Sequence, residues 1–192
     1  MRTRPYLLFA SVLSLVYVVL FIAPGHMTGL ALIPSKVSSG ELWHFLTYPF
    51  VHLDMSHLLK NLAGLALVTT GIVELKTKFS DFSSIYLLAG FLAVLPLWFI
   101  FQFTALGASA AIYSIFGLIA LESKKYEIRP WHILLLTVVL ISAEAFVSNA
   151  STSTMSALSH FSGLIFGIFA FNFALKAHKV FEKKKGFCLR KI

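Results

Sequence analysis

The stretch Phe82–Leu121 reads FSSIYLLAGFLAVLPLWFIFQFTALGASAAIYSIFGLIAL and contains no Asp, Glu, Lys or Arg. A helix needs about 20 apolar residues to cross the ~30 Å hydrocarbon core of a bilayer. The stretch is about twice that length, so it fits two crossings joined by a tight turn near Thr104–Gly107. It therefore predicts a protein that crosses a membrane more than once.

Four further apolar segments flank this stretch, two on each side: Tyr6–Ala23, Met55–Val73, Trp131–Val147 and Met155–Leu175. Together they predict an all-α membrane protein, a six-helix transmembrane bundle within residues 1–175, followed by a basic tail over residues 176–192. The composition agrees, because a soluble domain that is 58% hydrophobic and 12% charged could not cover its apolar area. Pro24–His52 is too apolar for a solvated linker, so a membrane-embedded first loop is expected there.

The basic residues occupy one side of the predicted bundle. Of the 16 Lys and Arg, all but Lys36 and Lys60 lie before the first span, after the sixth, or in the loops after the second and fourth. Short loops rich in Lys and Arg stay in the cytoplasm, so both termini are expected there. This topology and contact with anionic lipid account for the net charge of +8, and no nucleic-acid partner is expected.

Four polar residues are predicted to share one depth inside the membrane. At ~1.5 Å per helical residue, Ser109 lies about 22 Å from Lys124, His160 about 24 Å from Lys176 and Asn61 about 20 Å from Glu74. His57 lies one turn beyond Asn61. Polar groups inside spans are costly and usually face a bundle interior or a wet cavity. The layer is therefore the place where function is expected.

Small residues predict that the helices carrying Ser109 and His160 pack closely. Gly163 and Gly167 lie on the same face of the sixth span as His160. Small residues in such a stripe let two helix backbones approach each other. We expect this packing to bring Ser109 and His160 into hydrogen-bond reach. Tyr113, one turn along from Ser109, fits either a ring that stacks on the imidazole or an ordinary core aromatic.

His57 and Asn61 are four residues apart, so both side chains point the same way from the second span. Two N–H donors aimed at one point are what an oxyanion hole requires. The competing interpretation is a zinc or iron site that uses the imidazoles of His52, His57 and His160, with His44 as a further candidate ligand. No carboxylate or thiolate is expected in the layer, and no His-Glu-x-x-His motif is present, so no metal site is predicted.

These motifs together resemble those of the rhomboid intramembrane serine proteases, in particular the compact bacterial members. They are, in chain order, Glu41-Leu42-Trp43-His44-Phe45-Leu46-Thr47, His52, His57-x-x-x-Asn61, Gly107-Ala108-Ser109 with Tyr113 and Gly117, and Ser159-His160-x-x-Gly163 with Gly167. The resemblance covers roughly residues 6–175 and extends to the order of the motifs, the span count and the topology. It implies a multi-pass protein of a bacterial or archaeal cell (inner) membrane.

The resemblance also implies a role for each residue. Ser109 attacks the scissile carbonyl and His160 acts as its base, as a dyad without the third carboxylate of soluble proteases. The oxyanion is held by His57, Asn61 and the backbone N–H groups of Ala108 and Ser109. Supporting positions are Tyr113, His52, Gly107 and Gly163. Substrates would be membrane proteins with a locally unstable transmembrane helix, and no metal or organic cofactor is expected.

Two positions depart from the family pattern. Ala110 follows the nucleophile where the family usually has Gly, and His44 follows Trp43 where the family usually has Arg. The added methyl group is expected to crowd the oxyanion or a neighbouring helix. Losing the Arg removes a fixed cation with several donors from the first loop. Reduced or specialised activity is therefore expected.

Two alternatives to a protease stay open. One is a catalytically inactive rhomboid-like protein that binds transmembrane clients, which Ala110 favours and the intact Ser109 and His160 disfavour. The other is a small transporter or channel that uses the polar layer as a gate. It needs a polar path toward the basic side, whereas the fourth and sixth spans turn apolar beyond Tyr113 and Gly167.

Overall fold

The computed structural model describes the backbone of residues 3–147 and 150–189, and the side chains of residues 3–146 and 154–176. This part of the chain forms the following α-helices: α1 Arg4–Ile22, α2 His26–Leu30, α3 Pro34–Ser38, α4 His44–Thr47, α5 Met55–Glu74, α6 Phe79–Leu92, α7 Leu95–Phe101, α8 Ser109–Glu122, α9 Pro130–Val147 and α10 Ala150–Leu189. Short 3₁₀ helices cover Tyr48–Phe50 and Ser123–Tyr126. The described residues contain no β-strand.

Helix α8 lies at the centre of the bundle. It packs against α5, α6, α9 and α10, and α1 packs against α5 and α6. Ile115 and Leu118 of α8 are fully buried, as expected for a helix that is apolar on all sides. The outer helices instead expose large apolar side chains, among them Leu8, Leu135 and Phe169. The chain is therefore an all-α membrane bundle, as predicted.

Within the described residues, four helical stretches are long and apolar enough to cross a membrane: Arg4–Ile22, Met55–Glu74, Phe79–Phe101 and Thr154–Lys176. The other two predicted spans correspond to shorter helices, since α8 has 14 residues and the described apolar part of α9 is Pro130–Phe146. A short helix with an irregular lead-in is tolerated at membrane depth where protein encloses it, as it does α8. The helices follow the predicted order, and six full crossings stay a prediction.

The third predicted span is broken into two helices. α6 ends at Leu92 and α7 begins at Leu95, with Pro96 in its first turn. Proline has no N–H to donate, so it fits the first turn of a helix but not the interior. The predicted tight turn near Thr104–Gly107 is a longer irregular segment, residues 102–108, which leads into α8.

Backbone hydrogen bonds hold the first loop, residues 23–54, against this irregular segment. Leu32 and Ala105 exchange N–H···O bonds of 2.9 and 3.0 Å. The Gly107 N–H donates to the Tyr48 carbonyl at 2.9 Å. The first loop is therefore hydrogen-bonded to the irregular segment that directly precedes α8.

One edge of the first loop is apolar and faces away from the bundle. Leu42, Trp43 and Leu46 are each more than half exposed. The Trp43 indole N–H donates to the Gly29 carbonyl at 3.2 Å, which fixes the ring at this edge. An apolar edge with an anchored tryptophan is typical of a segment in the membrane interface, and the embedding of this loop in the membrane stays a prediction.

Helix α10 extends beyond the last predicted span. Its apolar part is Thr154–Lys176, and the helix continues to Leu189. The boundary between the bundle (1–175) and the basic tail (176–192) stays a prediction. Residues 190–192 of that tail lie outside the described residues.

Candidate active site

Ser109 is the first residue of α8, where the irregular segment enters the helix. The N–H groups of Ala108 and Ser109 have no hydrogen-bond partner among the described residues. The first N–H groups of a helix lack internal acceptors and carry partial positive charge. The Ser109 hydroxyl therefore stands beside unpartnered backbone donors.

Gly107 brings His57 and Asn61 of α5 next to Ser109. Its φ is +93°, a left-handed conformation that glycine adopts without strain. A Cβ atom here would lie 2.7 Å from both Cε1 and Nε2 of His57, and 3.8 Å from Asn61 Nδ2. The imidazole and the amide thus cover the backbone two positions before Ser109.

The hydrogen bonds of His57 determine which ring nitrogen carries the proton. The Leu53 N–H donates to Nδ1 at 3.4 Å, so the neutral ring carries its proton on Nε2. Asp54 caps α5 and accepts the His57 backbone N–H at 2.7 Å, which orients the first turn of the helix. Nε2–H is therefore a donor on the side that faces Gly107.

Asn61 is almost fully buried. One N–H of its amide donates to the His57 carbonyl at 2.9 Å. An amide carries two N–H donors, so the second remains for a ligand. We call His57, Asn61 and the backbone N–H groups of Ala108 and Ser109 the donor cluster.

Glycines let the backbone of α10 touch that of α8. A Cβ atom at Gly163 would lie 2.9 Å from the Cα and the carbonyl carbon of Ala110, and nearer still to its oxygen. At Gly167 it would overlap the Ser114 carbonyl group in the same way. The predicted small-residue stripe is therefore the α8–α10 contact, and it sets His160 beside α8.

His160 is buried against the ring of Tyr113. The two ring centroids are 4.5 Å apart and the planes are inclined by 28°, which is a stacked arrangement. Only 3% of His160 is exposed. Of the two interpretations of Tyr113, stacking on the imidazole is the one that the structure contains.

Ser109 and His160 do not form the predicted hydrogen bond. Among the described residues, Ser109 Oγ has no hydrogen-bond partner. His160 Nε2 instead lies 3.5 Å from the hydroxyl of Ser156, one turn earlier on α10. Ser156 and His160 are four residues apart on the same helix, so their side chains are neighbours whatever the packing of α10 against α8. Catalytic hydrogen bonds are often long before substrate binds.

A carboxylate stands in the polar layer, so the expectation of none was wrong. Glu144 Oε2 on α9 lies 3.5 Å from His160 Nδ1, and the Tyr113 hydroxyl donates to the same oxygen at 3.4 Å. Lys60 Nζ lies 3.5 Å from the other oxygen. The depth count finds this residue when it is applied to the fifth span, because Glu144 is roughly 22 Å along α9 from Arg129.

A family model for the rhomboid domain matches residues 39–177, well over half of the chain. The chain belongs to the rhomboid family. No curated protein matches it. The matched region runs from α4 through the apolar part of α10, so it contains every candidate site residue.

This rhomboid accommodates Ala110 in its apolar interior. The side chain is buried in a cluster that includes Leu32, Ala89 and Trp98. Gly163 contacts the backbone of Ala110. The added methyl group therefore fills apolar space, and the expected crowding of the oxyanion site is absent.

His44, at the position where rhomboids usually have Arg, is fully buried in the first loop. Its Nε2 lies 3.4 Å from one oxygen of Glu41, and Lys36 Nζ lies 3.0 Å from the other. The hydrogen bond from Lys36, and to a smaller extent that from His44, lowers the pKa of the Glu41 carboxyl. The loop of this rhomboid thus has its own ionic contact in place of the Arg.

His52 is fully buried between the first loop and the site. Its ring centroid lies 5.0 Å from that of Tyr17 on α1 and 5.2 Å from that of His57. Burial, together with the nearby imidazoles of His57 and His26, lowers the pKa of His52 to about 4. A neutral ring therefore packs behind His57.

The metal interpretation of the imidazoles finds no support in their contacts. Among the described residues, no group of three His, Cys, Asp or Glu side chains is placed to hold a metal ion. The nitrogens of His160 face Glu144 and Ser156, whereas His52 packs against the edge of His57. The imidazoles thus make separate contacts.

Proposed function

We propose that this rhomboid is an intramembrane serine endopeptidase with Ser109 as nucleophile and His160 as base. The donor cluster supports the proposal most, because His57 Nε2–H and the Asn61 amide lie against Gly107, next to backbone N–H groups of Ala108 and Ser109 that have no partner among the described residues. Such donors stabilise the charge that develops on a carbonyl oxygen during acyl transfer. In a purely structural site, buried donors are normally paired with protein acceptors.

In the proposed reaction, Ser109 Oγ attacks the scissile carbonyl carbon and its proton passes to His160 Nε2. The carbonyl oxygen becomes an oxyanion, which the donor cluster binds. His160 then gives the proton to the leaving amine. A water molecule, deprotonated by the same imidazole, finally releases the acyl group from Ser109. Stacking on Tyr113 keeps the plane of the ring fixed through these steps.

The proposed substrates are membrane proteins whose transmembrane helix unwinds easily, since the scissile bond must be extended to reach Ser109. The site lies at the end of α8 opposite Lys124 and Lys125. With both termini in the cytoplasm, cleavage takes place near the outer face of the cell membrane. The reaction uses side chains, backbone N–H groups and water, so it requires no cofactor.

One observation favours the second candidate function, an inactive rhomboid that binds transmembrane clients. Ser109 Oγ is not hydrogen-bonded to His160, whose Nε2 lies near Ser156 instead. In this candidate, the site at the start of α8 binds a client helix without cutting it. The two functions differ in whether the Ser109 hydroxyl is chemically activated.

Fluorophosphonate labelling of the detergent-purified protein tests the proposal without knowledge of the substrate. Wild type is compared with Ser109→Ala and His160→Ala. Ser156→Ala is the matched control, because Ser156 is the serine beside His160 Nε2 and has no part in the donor cluster. Mass spectrometry of the labelled peptide identifies the modified residue.

We expect labelling on Ser109, lost in Ser109→Ala and His160→Ala and retained in Ser156→Ala. If labelling is lost in Ser156→Ala and retained in Ser109→Ala, the reactive serine is Ser156 and the assignment of Ser109 is wrong. An unlabelled wild type would favour the client-binding function. Cleavage of a transmembrane test substrate by a folded Ser109→Ala variant would instead remove Ser109 from the role of nucleophile. Ala110→Gly should leave the labelling rate near that of wild type, because the Ala110 methyl group lies in apolar packing.

A further inference from the structure

Glu144 is a partly buried carboxylate beside His160 that a Ser-His dyad does not use. It projects from α9, and its side chain is 30% exposed. Oε2 lies 3.5 Å from His160 Nδ1 and accepts a 3.4 Å hydrogen bond from the Tyr113 hydroxyl. Oε1 lies 3.5 Å from Lys60 Nζ on α5. Ionisable groups on the apolar helices of a membrane bundle are costly, so the contacts of Glu144 point to a role at His160.

We propose that Glu144 is a positioning residue that completes a Ser-His-Glu triad in this rhomboid. The inference rests on the proposed function and adds a third member to its site. Glu144 accepts the His160 Nδ1–H, which leaves Nε2 free of hydrogen to take the proton of Ser109. When that proton arrives, the ring becomes an imidazolium that still donates Nδ1–H to the carboxylate, and Glu144 stays ionised.

The surroundings of His160 make this partner necessary. Nδ1 makes no hydrogen bond within the described residues, and the carboxylate that lies beside it is that of Glu144, whose Oε2 is 3.5 Å away. The ring is almost fully buried, and a buried cation without a counter-charge is strongly disfavoured. Glu144 supplies the negative charge that the imidazolium requires.

The groups that face His160 from the neighbouring helices determine different parts of its orientation. Tyr113 of α8 stacks on the ring and fixes its plane, which leaves rotation within that plane undetermined. Glu144 of α9 lies at the Nδ1 edge and determines that rotation. Of the other nearby ionisable groups, Lys60 of α5 is a cation without an acceptor, and the acceptor nitrogen of His57 faces the Leu53 N–H. Glu144 is therefore the acceptor that we assign to Nδ1.

The test measures the fluorophosphonate labelling rate of Ser109 from pH 3 to 9 in wild type, Glu144→Gln and Glu144→Asp. We expect Glu144→Gln to lower the plateau rate by about tenfold or more, since a misoriented or uncharged partner weakens the base. The midpoint of the rise with pH should move down by about one pH unit. Glu144→Asp keeps the charge, so its plateau rate and midpoint should lie between those of wild type and Glu144→Gln.

Lys60→Met separates this role from a purely structural one. If Glu144 only ties α9 to α5 through Lys60, then Lys60→Met will reproduce the loss seen in Glu144→Gln, and the inference is wrong. We expect Lys60→Met instead to keep the plateau rate and to leave the midpoint unchanged or higher, because it removes a cation near the ring. A Glu144→Gln profile identical to wild type would also overturn the inference.

A titration of the His160 ring followed by NMR does not depend on enzymatic activity. In wild type, the ring should titrate at a higher pH than in Glu144→Gln. Identical titrations in the two proteins would overturn the role of Glu144. If wild type is never labelled but the titrations differ, the proposed protease activity fails while the His160–Glu144 contact stands.

Discussion

Helix α8 carries a polar cluster at each end, and the two are built differently. At its C-terminal end, the nearly fully buried Glu122 accepts a 3.1 Å hydrogen bond from Thr77 Oγ1 and an ion pair from Lys125. The Tyr6 hydroxyl donates to the Thr77 carbonyl at 2.6 Å. We call this set the Glu122 cluster. Each of its acceptors, the Glu122 carboxylate and the Thr77 carbonyl, receives a hydrogen bond of ordinary or short length.

At the N-terminal end, the contacts are longer and some groups have no partner. Glu144 lies 3.5 Å from both His160 and Lys60. The backbone N–H groups at Ala108 and Ser109 have no partner among the described residues. Unpaired buried polar groups lower stability, and proteins retain them chiefly where a ligand or a reaction uses them. Changes in the Glu122 cluster should therefore affect stability, and changes in the donor cluster should affect chemistry.

The largest effect is expected from the donor cluster. Asn61→Ala should lower the maximal rate of fluorophosphonate labelling by about 100-fold, because the amide binds charge that appears only in the transition state. The probe concentration for half-maximal rate should change little. Asn172→Ala is the control, since that exposed amide donates to its own helix at Ile168. A loss in probe binding alone would remove Asn61 from the oxyanion role.

The close contact between α8 and α10 lies between the two polar clusters, and it should contribute strongly to the stability of the bundle. Gly167→Ala should destabilise the bundle by about 3 kcal/mol, because the new methyl group overlaps the Ser114 carbonyl. Unfolding by SDS in mixed micelles measures the change. Gly29→Ala is the matched control, because a Cβ atom there meets nothing within 4 Å. Equal stability of the two variants would contradict the close backbone contact.

The buried imidazole of His52 should make the first loop and the site sensitive to acid. Its pKa of about 4 lies below the ordinary 6.5, so the unfolded chain binds a proton more readily between these values. Stability should thus fall as the pH drops from about 6.5 to 4, by on the order of 3 kcal/mol. Unfolding measured across this range in wild type and His52→Leu checks it. If the stability of His52→Leu falls with pH as steeply as that of wild type, another titrating group causes the loss.

The smallest effect is expected in the Glu122 cluster and should be confined to stability. Thr77→Val removes the donor to Glu122 and should cost about 1 to 2 kcal/mol of unfolding free energy. Labelling of Ser109 per folded molecule should equal that of wild type. Thr70→Val, whose hydroxyl bonds to its own helix at Ala66, should be close to neutral. A loss of labelling in folded Thr77→Val would show that the two ends are coupled.

The break between α6 and α7 and the site at Ser109 differ in how far the sequence predicts them. Pro96 marks the break in hindsight, but an uncharged run has the same hydropathy whether it is one helix or two. The motif around Ser109 and the pair His57 and Asn61 could be found from spacing, because i and i+4 side chains share a helix face. Their distance from Gly107 depends on how α5 and the irregular segment pack, which spacing does not contain.

By itself, the sequence determined the membrane class, the order of the helices and the polar layer, because the length of apolar runs and the position of charges follow directly from bilayer thickness and topology. The tertiary structure decided which polar groups meet. Glu144 and Ser156 reach His160, and Ser109 does not, because the rotation of each helix about its axis follows from side-chain packing. A shift of one residue turns a helix by about 100°, so depth alone leaves each side chain's direction open.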